Sequence, residues 1–314
     1  MSPRTRRSRD SSSRDGVPTV DAAGGAGATG EPPSTLRLAS GALAQFQRDG
    51  STRTLVVDGT PQSAVVLDDP TRLEFGYIRH MGHVLDLAFP TGRPVTAVHL
   101  GAGALTIPRY LEATRPGSRQ QVVELERELI DFVRAHAPLP RSASIRIRYG
   151  DAREQLARLP EGLLGSVDAV VVDIFAGART PAHVTSREFY GVIAPFLAPG
   201  GVVLVNVADG HELRFARGQA STLLDAFEDV ALVADPTVVK GRRFGNITAV
   251  ASDRALDLDG LERLVASGFP PARVLRGVEV RSFARGAAVV HDDDATPSPL
   301  PGRAMFAQRR TSTW

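Results

Sequence analysis

Four carboxylates and one glycine turn recur at intervals that suit the binding of a nucleoside. The apolar run Val95–Leu100 ends in Gly101-Ala102-Gly103. Glu124 closes a second apolar run, Asp151 follows Gly150 after a third, and Asp173 ends the run from Val167. A glycine turn after a strand lets the backbone come close to a ligand and aims the N–H groups of the following helix at it. A carboxylate at the end of the next strand can accept hydrogen bonds from both ribose hydroxyls. Glu124 fits that role, and Glu126 competes for it. Asp151 can accept from an exocyclic adenine amine, and can equally cap the helix starting near Ala152. The turn lacks the third glycine of the dinucleotide fingerprint, which disfavours NAD. Together the spacings describe an adenosine-type site at the carboxyl edge of an open sheet, where such sheets take their ligands.

The elements that must position these residues follow from the apolar period. Seven short runs predict strands: 95–100, 120–124, 145–149, 169–173, 201–207, 230–234 and 246–252. Helical spacing predicts helices over 107–114, 127–135, 152–159, 186–197 and 215–227. Several runs are continuous rather than alternating, as expected for strands covered on both faces. The alternation predicts an α/β fold, a doubly wound Rossmann-like sheet over residues 91–291. Ahead of it, residues 36–90 read as a small N-terminal antiparallel β unit. Its runs lie at 42–46, 54–57 and 63–67, separated by turns at Asp49-Gly50 and Asp58-Gly59, with a linking helix over 71–87. Residues 1–35, rich in Arg, Ser, Gly and Pro, are expected to be a disordered arm, and residues 292–314 a loose tail.

Composition narrows the function. The 314 residues contain no cysteine, which removes disulfides, thiolate metal sites and a cysteine nucleophile. Lys240 is the one lysine, so the pI of 9.4 reflects arginine, and the net charge of +2 does not call for a nucleic-acid partner. No apolar run has the length of a membrane span, and the N-terminus has no apolar segment of a secretory signal, so a cytoplasmic protein is expected. His80 and His83 share one helical face, but without a third positioned ligand no metal is assigned to them.

Seven segments, in order, resemble the spermidine synthase (polyamine aminopropyltransferase) family, which has a class I S-adenosylmethionine-dependent methyltransferase fold. Leu55-Val-Val-Asp-Gly-Thr-Pro-Gln62 is similar to its Leu-Asp-Gly-x-x-Gln segment, and Glu74-Phe-Gly-Tyr77 to its Glu-Phe-x-Tyr helix start. Leu100 to Arg109 aligns on its Gly-Gly-Gly-Asp-Gly-Gly loop and Val123-Glu-Leu-Glu126 on its Val-Glu-Ile-Asp. Gly150-Asp151 matches its adenine-binding pair. Thr185-Ser-Arg-Glu-Phe-Tyr190 and the Gly200-Gly201 turn match its later helix and turn. The resemblance implies a nucleoside co-substrate, S-adenosylmethionine or its decarboxylated form, no metal, a small-molecule acceptor and a homodimer joined through the β unit. It also implies pocket roles for Gln62 and Tyr77.

The departures lie where an amine would be held. Aminopropyl transfer is attack by an amine on a carbon next to a sulfonium. The amine must lose a proton, and a cationic acceptor must meet carboxylates. Ala104 and Ala176 stand where the family has aspartates, and Ile78 and Arg79 where it has His and Glu. Asp173 is then the acid left to act as base or anchor. His183, in a loop expected to cover the pocket, could replace a missing base. Arg79, if inward, would repel a polyamine and attract an anion, and Asp209 also faces the ligand edge. These departures predict weak putrescine aminopropylation. They leave open methyl transfer to a small acceptor, anionic if Arg79 faces it, and nucleoside binding without catalysis.

Overall fold

The computed structural model describes residues 33–301. The expected arm, up to residue 32, and the tail from residue 302 lie outside the described residues. The N-terminal unit is a four-stranded antiparallel meander: β1 (Thr35–Arg37), β2 (Leu43–Asp49), β3 (Thr52–Val57) and β4 (Thr60–Val66). Thr35, expected to end the arm, already pairs with Gln45. The β3–β4 hairpin turns on Asp58 and Gly59, both at positive φ (47° and 75°). That conformation matches strand twist in a two-residue turn and explains the Asp-Gly pair.

Helix α1 (Gly76–Ala88) leads into the large sheet: β5 (Thr96–Leu100), α2 (Thr106–Thr114), β6 (Arg119–Glu124), α3 (Arg127–His136), β7 (Ser144–Tyr149), α4 (Ala152–Ala157) and β8 (Val167–Val172). Then follow α5 (Arg187–Ile193), β9 (Leu197–Asp209), α6 (Arg214–Ala226), β10 (Asp229–Ala234), α7 (Pro236–Val239) and β11 (Gly245–Ser252). The last elements are α8 (Leu261–Ala266), β12 (Arg273–Arg276) and α9 (Val278–Ala284). The strand order is β12-β10-β11-β9-β8-β5-β6-β7. β5 to β9 run parallel, while β11 is antiparallel to β9 and to β10. Order reverses at β5, with β6 on one side and β8 on the other. The crevice beyond their carboxyl ends is therefore the switch point of a doubly wound sheet.

All five residues of β5 are buried, as are five of six in β8. Both faces of the sheet are covered, which is why these strands read as unbroken apolar runs. Leu223, Phe189 and Ile193 pack on one face, and Met81, Leu85 and Leu261 on the other. Phe46 and Leu55 of the small sheet close over Ile130 and Phe132 of α3. Among the described residues no helix is long and apolar enough to cross a membrane.

Three differences from the sequence reading matter. Helix α1 begins at Gly76 rather than residue 71, and β9 begins four residues early. The short elements α7, α8, β12 and α9 carry four to seven residues each, too few to register a period. The segment from Asp292, expected loose, is tied down as far as Ser298. Asp292 takes both guanidinium nitrogens of Arg153 at 2.7 Å, and Ser298, fully buried, exchanges backbone and hydroxyl hydrogen bonds with Thr180.

Candidate active site

The turn after β5 enters the crevice with Gly101 at φ +89°. A Cβ there would lie 2.2 Å from the carbonyl oxygen of Asp173, so β5 and β8 meet too closely for any side chain. Gly103 faces Ser63 of β4, whose Oγ lies 2.7 Å from Thr106 Oγ1. The small sheet thereby roofs the glycine turn. Between them lies a cavity of about 320 Å³, whose wall includes Gln62, Tyr77, Glu124, Asp151, Asp173 and His183.

Glu124, at the end of β6, accepts from Ala102 N and Glu126 N, both at 2.9 Å. Burial raises its pKa, while those backbone N–H groups act in the opposite direction. Each oxygen keeps a lone pair for a hydroxyl. Glu126, its competitor in sequence, has another task. Its two oxygens accept from Ala39 N and Ser40 N at 3.0 Å and moor the small sheet. Between the two acids Leu125 is 65% exposed on the cavity wall, an apolar plate the sequence reading did not single out.

Asp151 takes the capping role expected of it, and its second oxygen is engaged by a side chain of the cavity wall. Oδ1 caps α4, accepting from Arg153 N and Glu154 N at 2.9 and 3.1 Å, while Oδ2 meets His183 Nε2 at 2.6 Å. Burial raises its pKa, but the His183 contact and the helix N–H groups outweigh that and leave it lowered. His183 does line the cavity, yet its imidazole is engaged with Asp151. The hydrogen bonds to Asp173 come from elsewhere.

Asp173 is the centre of a relay that the sequence only half disclosed. Its Oδ1 accepts from Asn206 Nδ2 at 2.7 Å and its Oδ2 from the Tyr77 hydroxyl at 3.2 Å. Asn206 Oδ1 in turn accepts from Asn246 Nδ2 at 2.8 Å. Burial pushes the Asp173 pKa up, and Asn206 and Tyr77 hold it back in part. Burial and the adjacent Asp173 push the Tyr77 phenol well above its ordinary value, so it stays a donor. The clue to Asn206 was visible: it is the one amide in the apolar run Val202–Val207. Gln62 reaches the site both as wall and through its carbonyl, which accepts from Tyr77 at 3.4 Å.

Two expected pocket residues are elsewhere. Arg79 donates to the carbonyls of Leu73 and Glu74 at 3.1 Å and to Phe269 at 2.5 Å, so it neither repels nor attracts a ligand in the cavity. The turn before α1 draws the guanidinium back onto its own backbone. Asp209, 4% exposed, accepts from Gly210 N and Ala216 N, caps α6 and borders a separate cavity. Of the two alanines, Ala176 is on the cavity wall, whereas Ala104 is fully buried in the cluster with Phe46 and Ile130. His80 and His83 lie on α1, where burial holds His80 down to about 4 and lowers His83, so both are neutral near pH 7. Among the described residues no group of three or more His, Asp or Glu could hold a metal ion.

The wall thus carries four carboxylates, Glu124, Glu126, Asp151 and Asp173, and no arginine or lysine among the described residues. No family model matches the chain. A polyamine aminopropyltransferase of Chromobacterium violaceum is 26% identical over 170 residues, 54% of this chain and 62% of that protein. One of Vibrio vulnificus is 28% identical over 143 residues, 45% of this chain and 46% of that protein. The matched stretches thus span about half to three-fifths of these curated relatives. A crystal structure of a probable spermidine synthase from Corynebacterium glutamicum superposes with a TM-score of 0.74 at 33% identity, covering 82% of this chain and 95% of that one. At that identity and coverage, the chain belongs to the spermidine synthase-like, polyamine aminopropyltransferase family.

Proposed function

We propose that this protein transfers the aminopropyl group of decarboxylated S-adenosylmethionine to a small amine. The observation that carries the proposal is the charge of the cavity wall: four carboxylates and no arginine or lysine among the described residues. The decarboxylated donor is a sulfonium with a terminal ammonium, and the acceptor is an amine, so both are cations before reaction. Glu124 would take the ribose hydroxyls, Leu125 the face of the base and Asp151 the adenine amine. The turn at Gly101 admits the donor because no side chain stands there.

In the reaction, the acceptor nitrogen attacks the carbon next to sulfur. The carbon–sulfur bond breaks, its electrons remain on sulfur, and methylthioadenosine leaves. Asp173 accepts the proton of the attacking nitrogen. A carboxylate with a raised pKa is a stronger base than an exposed one, which suits it to that step. Ala176 in the wall leaves Asp173 without a neighbouring aspartate, so a diamine such as putrescine would be held at one end and turned over slowly. Ala104 faces the core, so of the two alanines only Ala176 borders the space an acceptor would occupy.

Methyl transfer is the second reading. S-adenosylmethionine carries a carboxylate that would find no cationic side chain on the described wall, and Arg79, its expected anchor for an anionic acceptor, is turned away. Calorimetric titration with the two nucleosides separates the readings. A charge-assisted interaction of ~1.5–3 kcal/mol predicts about 10- to 100-fold tighter binding of the decarboxylated form. Equal or tighter binding of S-adenosylmethionine would refute the proposal.

A further inference from the structure

We infer that a second cavity, on the other side of the 174–185 segment, binds a small organic anion with an apolar body. It has a volume of about 790 Å³, within the ~300–1,000 Å³ range of small-molecule sites. It opens at the same carboxyl edge of the sheet as the donor cavity. Ala176, Pro181 and His183 of the dividing segment face the donor, while Arg179 and Thr185 face the second cavity.

The two cavities are opposite in charge. The second is lined by Arg179, Arg214, Arg242 and Arg243, with His211 beside them; its two acids are Asp209 and Glu212. The four arginines outnumber the two acids. Asp209 is spent on the Gly210 and Ala216 N–H groups, and burial raises its pKa. Glu212 pairs with Arg214 at 2.5 Å, and Arg243 pairs with Asp235 at 2.8 Å. Arg179 is fixed by the carbonyls of Ser298 and Pro297, which orient a guanidinium without cancelling its charge. Among the described residues the side chains of Arg242 and His211 have no hydrogen-bond or ion-pair partner.

Guanidinium groups recognise carboxylates and phosphates by paired N–H donors. Phe215, Phe244 and Leu300 supply apolar wall beside them. The ligand class is therefore an anion of two or more charges, carboxylate or phosphate, on an aromatic or aliphatic body. A polyamine is excluded by the same charges that would admit an anion.

The test is titration of the full chain with phenyl phosphate, and with phenol as the uncharged control, at constant ionic strength. Saturable binding of phenyl phosphate is expected, with phenol at least ~10-fold weaker. Arg242→Glu reverses a charge on the cavity wall. It should weaken binding at least ~10-fold, while Arg146→Glu, the same reversal at an exposed position of β7, should leave affinity within ~2-fold. Thermal unfolding and methylthioadenosine affinity of both variants should match the parent. Absence of saturable phenyl phosphate binding, equal binding of phenol, or equal effects of the two reversals would each overturn the site. Because the readout is anion binding, its failure is distinct from failure of the aminopropyl reaction.

Discussion

Asp173→Asn should make the protein more stable and nearly inactive. The substitution keeps shape and the hydrogen bonds to Asn206 Nδ2 (2.7 Å) and Tyr77 (3.2 Å), because an amide can accept from the first and donate to the second. What it removes is a charge that burial disfavours. The pKa of Asp173 is raised in the folded protein, so the native state holds this proton more tightly than the unfolded chain does. Stability from that proton is complete below the ordinary value of 3.8 and is lost as pH rises through the raised one. At neutral pH the ionised carboxylate therefore costs stability, and an amide that never ionises avoids the cost. Catalysis moves the other way. Loss of a positioned general base slows proton transfer by ~100- to 10,000-fold, equivalent to about 3–5.5 kcal/mol of barrier. The assay pairs a melt at pH 7 with kcat/KM for aminopropyl transfer, and methylthioadenosine affinity as a control for the donor site. A lower Tm with near-parental turnover would refute both the desolvation argument and the role of the carboxylate.

Three further outcomes follow from the same geometry. Glu124→Gln should weaken nucleoside binding by about 10- to 100-fold, since a charged acceptor of ribose hydroxyls is worth ~1.5–3 kcal/mol; calorimetry with methylthioadenosine reads it, and unchanged affinity would reassign the ribose. Asn206→Leu removes a hydrogen bond that lowers the Asp173 pKa, so the acid limb of the pH–rate profile should move to higher pH, and an unmoved limb contradicts the relay. His183→Ala frees Asp151 Oδ2 for the base, so donor KM should fall and kcat stay within ~10-fold, whereas a drop of ~100-fold or more would make His183 the base.

The residues that carry fold information did so through period and conformational need. Continuous runs such as Val167–Val172 announced strands buried on both sides, and Gly101 announced a place where no Cβ fits. Because strand ends in such a sheet share one edge, Glu124, Asp151 and Asp173 could be brought together from spacing alone. Side-chain direction is set by tertiary partners and was not legible. Arg79 turns toward the carbonyl of Phe269, 190 residues away in the chain, and nothing local to α1 signals that. Ala104 faces the core because the small sheet lies over the glycine turn, a packing that alignment to a family loop does not convey. Asn246 matters only through β9 pairing with β11, which sets it opposite Ala208, beside Asn206. The strap from Asp292 to Ser298 escaped notice because proline and aspartate in a tail suit solvent as well as they suit Arg153 and Thr180.

The most direct test of the central claim is methylthioadenosine release. The protein is incubated with decarboxylated S-adenosylmethionine and a panel of small amines, putrescine included, and methylthioadenosine and the aminopropylated amine are quantified together. Aminopropyl transfer should give equal amounts of the two products, at a rate that depends on amine identity with putrescine slow, and should be lost in Asp173→Asn. Nucleoside binding with no methylthioadenosine formed from any amine, or transfer of a methyl group from S-adenosylmethionine in its place, would contradict it.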